Sequence, residues 1–227
     1  MTVTPTSLTR AAGISAAVAG LIFIAVQINH PAMDVSSVTT TEWVVRQTAK
    51  AVMAAAALAG ITGMYLRQVR QTGILGLVGY LVFGVGYLVM FGVEFAGGYV
   101  LPALAHTAPG YVNDVLAAGM GETVTGNIGA MQTAFSLMGV GYLAGGVLFG
   151  LALFRAGILA RWASALLVLG TLATLALKVL PQSFDRPFAV PTGVALIGLG
   201  ISLWRDQRTT AVTTSDLAPA RAGAAAR

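Results

Sequence analysis

The sequence predicts an all-α fold: a polytopic bundle of six transmembrane helices with both termini in the cytoplasm. Of the 227 residues, 56% are hydrophobic and only 9% are charged, whereas about a quarter of the residues in soluble domains are charged. The mean hydropathy is +0.81. Six apolar stretches approach the roughly 20 residues that a helix needs to cross the bilayer core. The predicted spans are residues 11–28, 43–66, 73–95, 128–154, 162–180 and 188–204.

The first three spans have identifiable borders. Span 11–28 follows Arg10, and no small-residue cleavage site comes directly after it, so we expect a helix rather than a signal peptide. Thr39 and Glu42 fit a capping box that would start the second span. The third span ends in LVMFGVEFAGGYV (88–100), which places Glu94 among aromatic residues near the end of an apolar helix.

The other three spans are separated by one long connection and one short turn. We predict that the long connection, 96–127, caps the outer end of the bundle, because PGYVNDVLAAGM (109–120) has the pattern of a short amphipathic helix. Pro191 is expected in the first turn of the sixth span. Residues 205–227 have little apolar surface to bury, so a disordered cytoplasmic tail is predicted there.

Orientation follows from the basic residues in the connections, because these concentrate on the cytoplasmic side. With the N-terminus inside, nine arginines lie inside and four basic residues lie outside, which favours cytoplasmic termini and a multi-pass protein of the cell membrane. The inner set is Arg10, Arg67, Arg70, Arg155, Arg161, Arg205, Arg208, Arg221 and Arg227, and the outer set is Arg46, Lys50, Lys178 and Arg186.

Several function classes are excluded by composition. The chain has no cysteine, which rules out disulfides, thiolate catalysis and iron–sulfur clusters. The net charge of +5 comes from scattered residues rather than a basic run, so no nucleic-acid partner is predicted. No nucleotide-binding, metalloprotease or hydrolase motif is present. The two histidines lack the spacing of metal ligands, and we predict neither a metal nor another cofactor.

Polar residues within and beside the spans all fall in the outer half of the predicted bundle. This distribution predicts that any polar pocket opens outward. The residues are Gln27, Asn29, His30, Arg46, Gln47, Lys50, Glu94, Asn127, Gln132 and Lys178.

Two spans also have aromatic residues at helical spacing behind a polar residue. Such spacing is ordinary in packed cores, but two stripes with polar residues at similar depth favour a lined, substrate-binding cavity. One stripe runs back from Glu94 through Phe91, Tyr87, Phe83 and Tyr80, and the other runs from Gln132 through Phe135, Tyr142 and Phe149.

Glu94 has three interpretations, because ionisable groups inside a membrane are costly and are candidates for function. It could pair with Lys50 or Arg46 and stay ionised. It could instead remain protonated among the aromatic rings and act as a Brønsted acid, or extend to the interface. His30 and Asp34, four residues apart, are further catalytic candidates as an acid–base or metal pair, although a lone loop histidine near the headgroups is the simpler explanation.

The segment FRAGILARWASALLVLG (154–170) resembles small polytopic membrane proteins of actinobacteria that have no assigned function. In length, helix number and intramembrane acids, the whole chain is similar to the small integral membrane terpene cyclases of bacterial indole sesquiterpenoid and drimane-type pathways. That resemblance implies proton-initiated cyclisation of a prenyl or epoxyprenyl substrate.

In this interpretation a lipophilic prenylated molecule enters from the bilayer and folds along the aromatic stripes. Glu94 would protonate it, and Tyr87, Phe91, Phe135 and Tyr142 would stabilise the cation through their π faces. Two other classes stay open. One is a small transporter or ligand-binding membrane protein with a polar relay of Arg46, Lys50 and Glu94, and the other is a purely structural membrane protein.

Overall fold

The computed structural model describes residues 3–175 and 187–224, with side chains described as far as residue 206. Within these ranges all regular structure is α-helical and no strand occurs, which confirms the all-α prediction. The helices of the described ranges are α1 (Pro5–Ala25), α2 (Val35–Val38), α3 (Thr41–Arg67), α4 (Val69–Tyr99), α5 (Leu101–Leu104), α6 (Pro109–Gly119), α7 (Ala130–Ala156), α8 (Arg161–Ala173) and α9 (Ala189–Ala224).

Four helices, α1, α3, α4 and α7, are long and apolar enough to cross a membrane. α8 is a shorter apolar helix of 13 residues. Residues 176–180 of the predicted fifth span, with Lys178, lie outside the described residues. The predicted sixth span coincides with part of α9 except for its first residue, Phe188. Four such helices support a membrane protein, while six spans and cytoplasmic termini remain predictions.

The six longer helices form a closed ring in the order α1, α3, α4, α7, α8 and α9, with α9 returning to α1. Neighbours run antiparallel and approach closely where one of them has a glycine. Gly60 of α3 lies on Ala16 of α1, and Gly145 of α7 lies on Phe83 of α4. Small residues allow such close approach between membrane helices. The ring brings the start of α3 and the end of α4 together.

Two apolar clusters fill the bundle. The larger occupies the inside of the ring and includes Phe83, Tyr87 and Phe149. The smaller lies where α2, α5 and α6 cover one end of the ring, which we call the cap end. On α6 the buried residues are Val112, Val115 and Leu116, with Tyr111 packed against them, so the predicted amphipathic helix in the long connection is confirmed.

Several local boundaries differ from the predictions. The N-cap of α3 is Thr40, whose hydroxyl accepts from the Trp43 amide at 3.2 Å, so the predicted capping box at Thr39 is wrong by one residue. Thr39 instead ends α2. Gly73 breaks α4 with φ +57, so its long continuous part begins close to the predicted start at residue 73.

The C-terminal region also differs. α9 continues to Ala224 through most of the segment that the sequence predicts as a disordered tail, and residues 225–227 lie outside the described residues. Pro191 is the third residue of α9, in its first turn as predicted. Proline is tolerated there because the first-turn amides of a helix have no intrahelical acceptor.

Candidate functional site between α3 and α4

The Lys50 ammonium lies 3.7 Å from the Glu94 carboxylate, on the seam between α3 and α4 near the cap end. Both side chains are mostly buried, with 14% of Lys50 and 16% of Glu94 exposed. Of the three sequence interpretations of Glu94, the structure therefore shows the ion pair with Lys50. The distance exceeds the roughly 2.7–2.9 Å of a direct charge-assisted hydrogen bond. The two groups therefore form an ion pair without a direct charge-assisted hydrogen bond between them.

The seam is held in register by three contacts on the cap side of this pair. The Trp43 indole donates to the carbonyl of Gly97 at 2.9 Å. The Gln47 side chain packs on Gly97, where an added Cβ would lie 2.4 Å from its amide nitrogen. The hydroxyls of Thr48 and Tyr99 are 2.7 Å apart. Glycine at position 97 therefore makes room for Gln47 beside the ion pair.

Gln47 belongs to the outer polar residues of the sequence but is not a predicted site residue, and the structure places it at this site. It is only 6% exposed, and its amide group neighbours the Glu94 carboxylate. Its Oε1 is buried and accepts no hydrogen bond from any described residue. Its position three residues before Lys50, on the same helical face, was the available signal. Buried polar atoms are nearly always partnered, so this acceptor is an exception that calls for an explanation.

Arg46 does not join the ion pair. Its guanidinium donates to the carbonyls of Val26, Ile28 and Asn29, at 3.2, 2.8 and 3.0 Å, and to the Glu42 carboxylate at 3.0 Å. These carbonyls follow the end of α1, where a helix leaves acceptors without intrahelical donors. Of the three residues of the predicted relay, the structure brings Lys50 and Glu94 together, whereas Arg46 caps the end of α1.

His30 and Asp34 have separate partners at the cap end. Asp34 is the N-cap of α2 and accepts from the Ser36 hydroxyl and the Ser37 amide, both at 2.7 Å. These hydrogen bonds, that of Ser36 first, lower the pKa of Asp34 below its ordinary value of 3.8. The His30 Nδ1 lies 2.9 Å from the carbonyl of Pro31, and its ring meets Trp43 edge-on. Asp34 thus acts as a helix cap.

The central part of the two aromatic stripes fills the core instead of lining a cavity. Phe83 and Tyr87 have ring centroids 4.9 Å apart, and Phe83 is 6.2 Å from Phe149. Tyr142 lies 6.3 Å from Tyr87 and donates from its hydroxyl to Thr192 at 2.8 Å. Since these rings contact one another inside the ring of helices, they leave no open face for a substrate. The Tyr87 hydroxyl is buried with no partner among the described residues.

Three other stripe residues, Tyr80, Phe135 and Gln132, lie in different parts of the structure. Tyr80 stacks on Tyr65 at 4.7 Å, with its hydroxyl 3.2 Å from that of Thr62. Phe135 packs against the cap-end cluster. Gln132 is exposed. The predicted substrate-binding set therefore does not form one lined surface, because real helix packing directs residues of one periodic pattern toward the core, the cap and the outside.

Phe91, Phe95 and Tyr99 form a row on the outside of α4, which we call the aromatic row. They are 39%, 49% and 49% exposed, and their ring centroids are 6.4 and 4.9 Å apart along the row. The row borders the seam that contains Glu94, and Tyr99 closes it against Thr48. An ion pair in an apolar seam therefore lies beside stacked rings that the protein leaves uncovered.

The described residues include no cluster of three acidic or histidine side chains that could hold a metal ion. A groove of about 550 Å³ runs between α1 and α3, and another of about 260 Å³ lies between α1 and α9. Both are lined mostly by small or aliphatic residues, and neither is lined by a residue of the aromatic stripes.

Comparisons with protein-family models, with curated proteins and with solved structures give no match to this chain. The resemblance to the membrane terpene cyclases therefore stays a prediction.

Proposed function

We propose that this protein binds a lipophilic small molecule at the α3–α4 seam, with the molecule entering sideways from the bilayer. One observation supports this most strongly: a mostly buried Lys50–Glu94 pair lies beside the unpartnered oxygen of Gln47. Removing two charges from water has a desolvation cost that their attraction often only offsets, so such a pair is weak support for stability. Ionisable residues within membrane segments more often mark a site.

The surroundings of the pair favour a ligand from the lipid phase. The aromatic row is uncovered on the outer side of α4, and α3 and α4 are both long and apolar enough to cross a membrane. A hydrocarbon body can pack on these rings while a polar end reaches the seam. Small-molecule sites commonly combine an apolar lining with a few placed polar groups.

The proposal is tested by identifying what co-purifies with the protein from its native membranes. Wild-type protein and the Lys50→Met variant are purified in parallel, extracted with organic solvent and compared by mass spectrometry. We expect a small molecule that is enriched with wild type and lost from Lys50→Met. Equal recovery from both proteins would contradict a site at the seam.

Arg67→Met is the matched control. Among the described side chains Arg67 and Asp206 form a part-buried ion pair between α3 and α9, at the end opposite the cap, with 29% and 24% exposed. Their Nη2 to Oδ1 distance is 3.1 Å. Loss of this pair disturbs the bundle without touching the seam, so Arg67→Met should keep the bound molecule. If both variants lose it, the effect is structural.

Terpenoid cyclisation is a second hypothesis for the same residues, favoured by the position of Glu94 beside Phe91 and Phe95. Two features reduce its support. The ammonium of Lys50 faces the carboxylate that would have to hold the proton, and Phe83 and Tyr87 are packed inside the core. Incubating membranes with prenylated and epoxyprenylated substrates separates the two hypotheses. Cyclic products that disappear in Glu94→Gln would establish catalysis, whereas binding without conversion would leave a binding protein.

A further inference from the structure

We infer that the ligand of the α3–α4 seam is an uncharged amphiphile with a hydroxyl head and a rigid ring or polyene body. This inference rests on the proposed function and specifies its ligand class. It uses three features together: the unpartnered acceptor of Gln47, the opposite charges of Lys50 and Glu94, and the aromatic row.

The Gln47 oxygen requires a hydrogen-bond donor. Gln47 lies one helical turn before Lys50 on α3, and its amide group neighbours the Glu94 carboxylate. Its buried oxygen therefore lies near the ion pair, and no described residue donates to it. The Gln47 side chain cannot simply turn away, because Gly97 and Gly98 hold it closely. A ligand donor at this point removes the cost of a buried acceptor without a partner.

The ion pair selects against charged heads. A carboxylate or phosphate that binds Lys50 would approach Glu94, and an ammonium that binds Glu94 would approach Lys50, because these groups are only 3.7 Å apart. Like charges at such distances in a poorly solvated site repel strongly. A hydroxyl avoids both penalties, since it donates one hydrogen bond and accepts others. It can therefore donate to Gln47 and accept from the Lys50 ammonium.

The aromatic row selects the body of the ligand. Phe91, Phe95 and Tyr99 present neighbouring rings on the exposed side of α4, with the first two stacked and the last two tilted. Flat or rigid hydrocarbon covers such a surface with less loss of conformational freedom than a flexible chain, and preorganised ligands bind more tightly for this reason.

A head-group series tests the class directly. Retinol, retinoic acid and retinylamine share one rigid body and differ in the head, and farnesol has the alcohol on a flexible chain. Full-length protein in detergent is mixed with equal amounts of the four, and the complexes are counted by native mass spectrometry. We expect retinol to exceed the acid and the amine by about tenfold, the effect of roughly 1.4 kcal/mol, and to exceed farnesol by a smaller factor.

Gln47→Met removes the acceptor and keeps a similar shape. It should reduce retinol binding by about tenfold, the effect of one lost hydrogen bond, and abolish the preference for the alcohol. Gln68→Met is the matched control, because Gln68 is also fully buried with an unpartnered amide but lies at the opposite end of α3. It should bind retinol as wild type does. Thermal unfolding of both variants shows whether each remains folded.

Each result has a defined meaning. Equal binding of acid, amine and alcohol overturns the inference, as does retinol binding that Gln47→Met leaves unchanged. If no retinoid or farnesol binds but a molecule co-purifies in a Lys50-dependent way, the ligand class is wrong and the site remains. If neither is seen, the proposed function fails as well.

Discussion

At the scale of single residues, side chains of the same or similar chemistry have different roles in different surroundings. Tyr87 and Tyr142 both lie in the core, yet among the described residues only the Tyr142 hydroxyl has a partner, Thr192 at 2.8 Å. Lys50 and Arg46 both lie near the cap end, yet one faces Glu94 and the other caps α1. These differences depend on neighbours from distant parts of the chain.

Phenylalanine substitutions at the two tyrosines should have unequal effects. Tyr142→Phe leaves the Thr192 hydroxyl without its donor in the core, which we expect to lower the free energy of unfolding by about 1 kcal/mol. Tyr87→Phe removes a hydroxyl that has no partner among the described residues, so it should be neutral or stabilising. Thermal unfolding in detergent micelles compares them. A loss for Tyr87→Phe as large as for Tyr142→Phe would indicate a polar partner for Tyr87.

Asp34 gives a prediction with a defined pH dependence. Its folded-state pKa is below the ordinary 3.8, first through the Ser36 hydroxyl and then through the Ser37 amide. A depressed pKa means that the ionised cap stabilises α2 above pH 3.8 and that this contribution is lost as the pH falls through the lower folded-state value. The Ser37 amide resonance, followed by NMR, should therefore titrate below pH 3.8. Asp34→Asn keeps a capping oxygen and should abolish this transition; a transition that persists would belong to another group.

At the scale of elements, backbone proximity decides which glycines matter. Gly145 and Gly139 are on the same helix, α7. Gly145 follows Gly141 at the four-residue spacing of small residues that favours close helix packing, whereas Gly139 has no small residue at that spacing. A Cβ at Gly145 would lie 2.3 Å from the backbone nitrogen of Phe83, whereas a Cβ at Gly139 meets nothing within 4 Å. The first position is a contact between helices and the second is open.

Alanine substitutions should therefore have opposite effects. Gly145→Ala pushes α7 away from the backbone of α4, and overpacking of this kind costs about 1–3 kcal/mol. Gly139→Ala should be neutral or stabilising by up to about 1 kcal/mol, because alanine is the better helix former. Unfolding midpoints in the same detergent measure both. Equal effects would mean that α4 and α7 do not touch at Gly145.

At the scale of the whole molecule, the ring places the cap at one end and the α3–α4 turn at the other. Thr107 lies between α5 and α6, Gln71 lies in the first turn of α4, and both are exposed. The charge distribution predicts that the cap end faces outward.

Because the chain has no cysteine, single cysteines can report the orientation without background. Thr107→Cys should react with a membrane-impermeant maleimide on intact cells, and Gln71→Cys should react only after the membrane is opened. The reverse labelling pattern would mean that the cap end faces the cytoplasm, opposite to the predicted orientation. Labelling of both residues in intact cells would contradict a single orientation across the membrane.

The sequence by itself determined the helical class, the apolar helices and the amphipathic α6, because hydrophobic content and helical period act locally along the chain. It also located the polar residues near one end. Only the tertiary structure decided that Glu94 faces Lys50, that Gln47 joins them and that Arg46 turns to α1. It also packed Phe83 and Tyr87 into the core. Helical periodicity fixes the face on which a side chain lies, but the neighbour at that face depends on the rotation and depth of another helix, which no local pattern specifies.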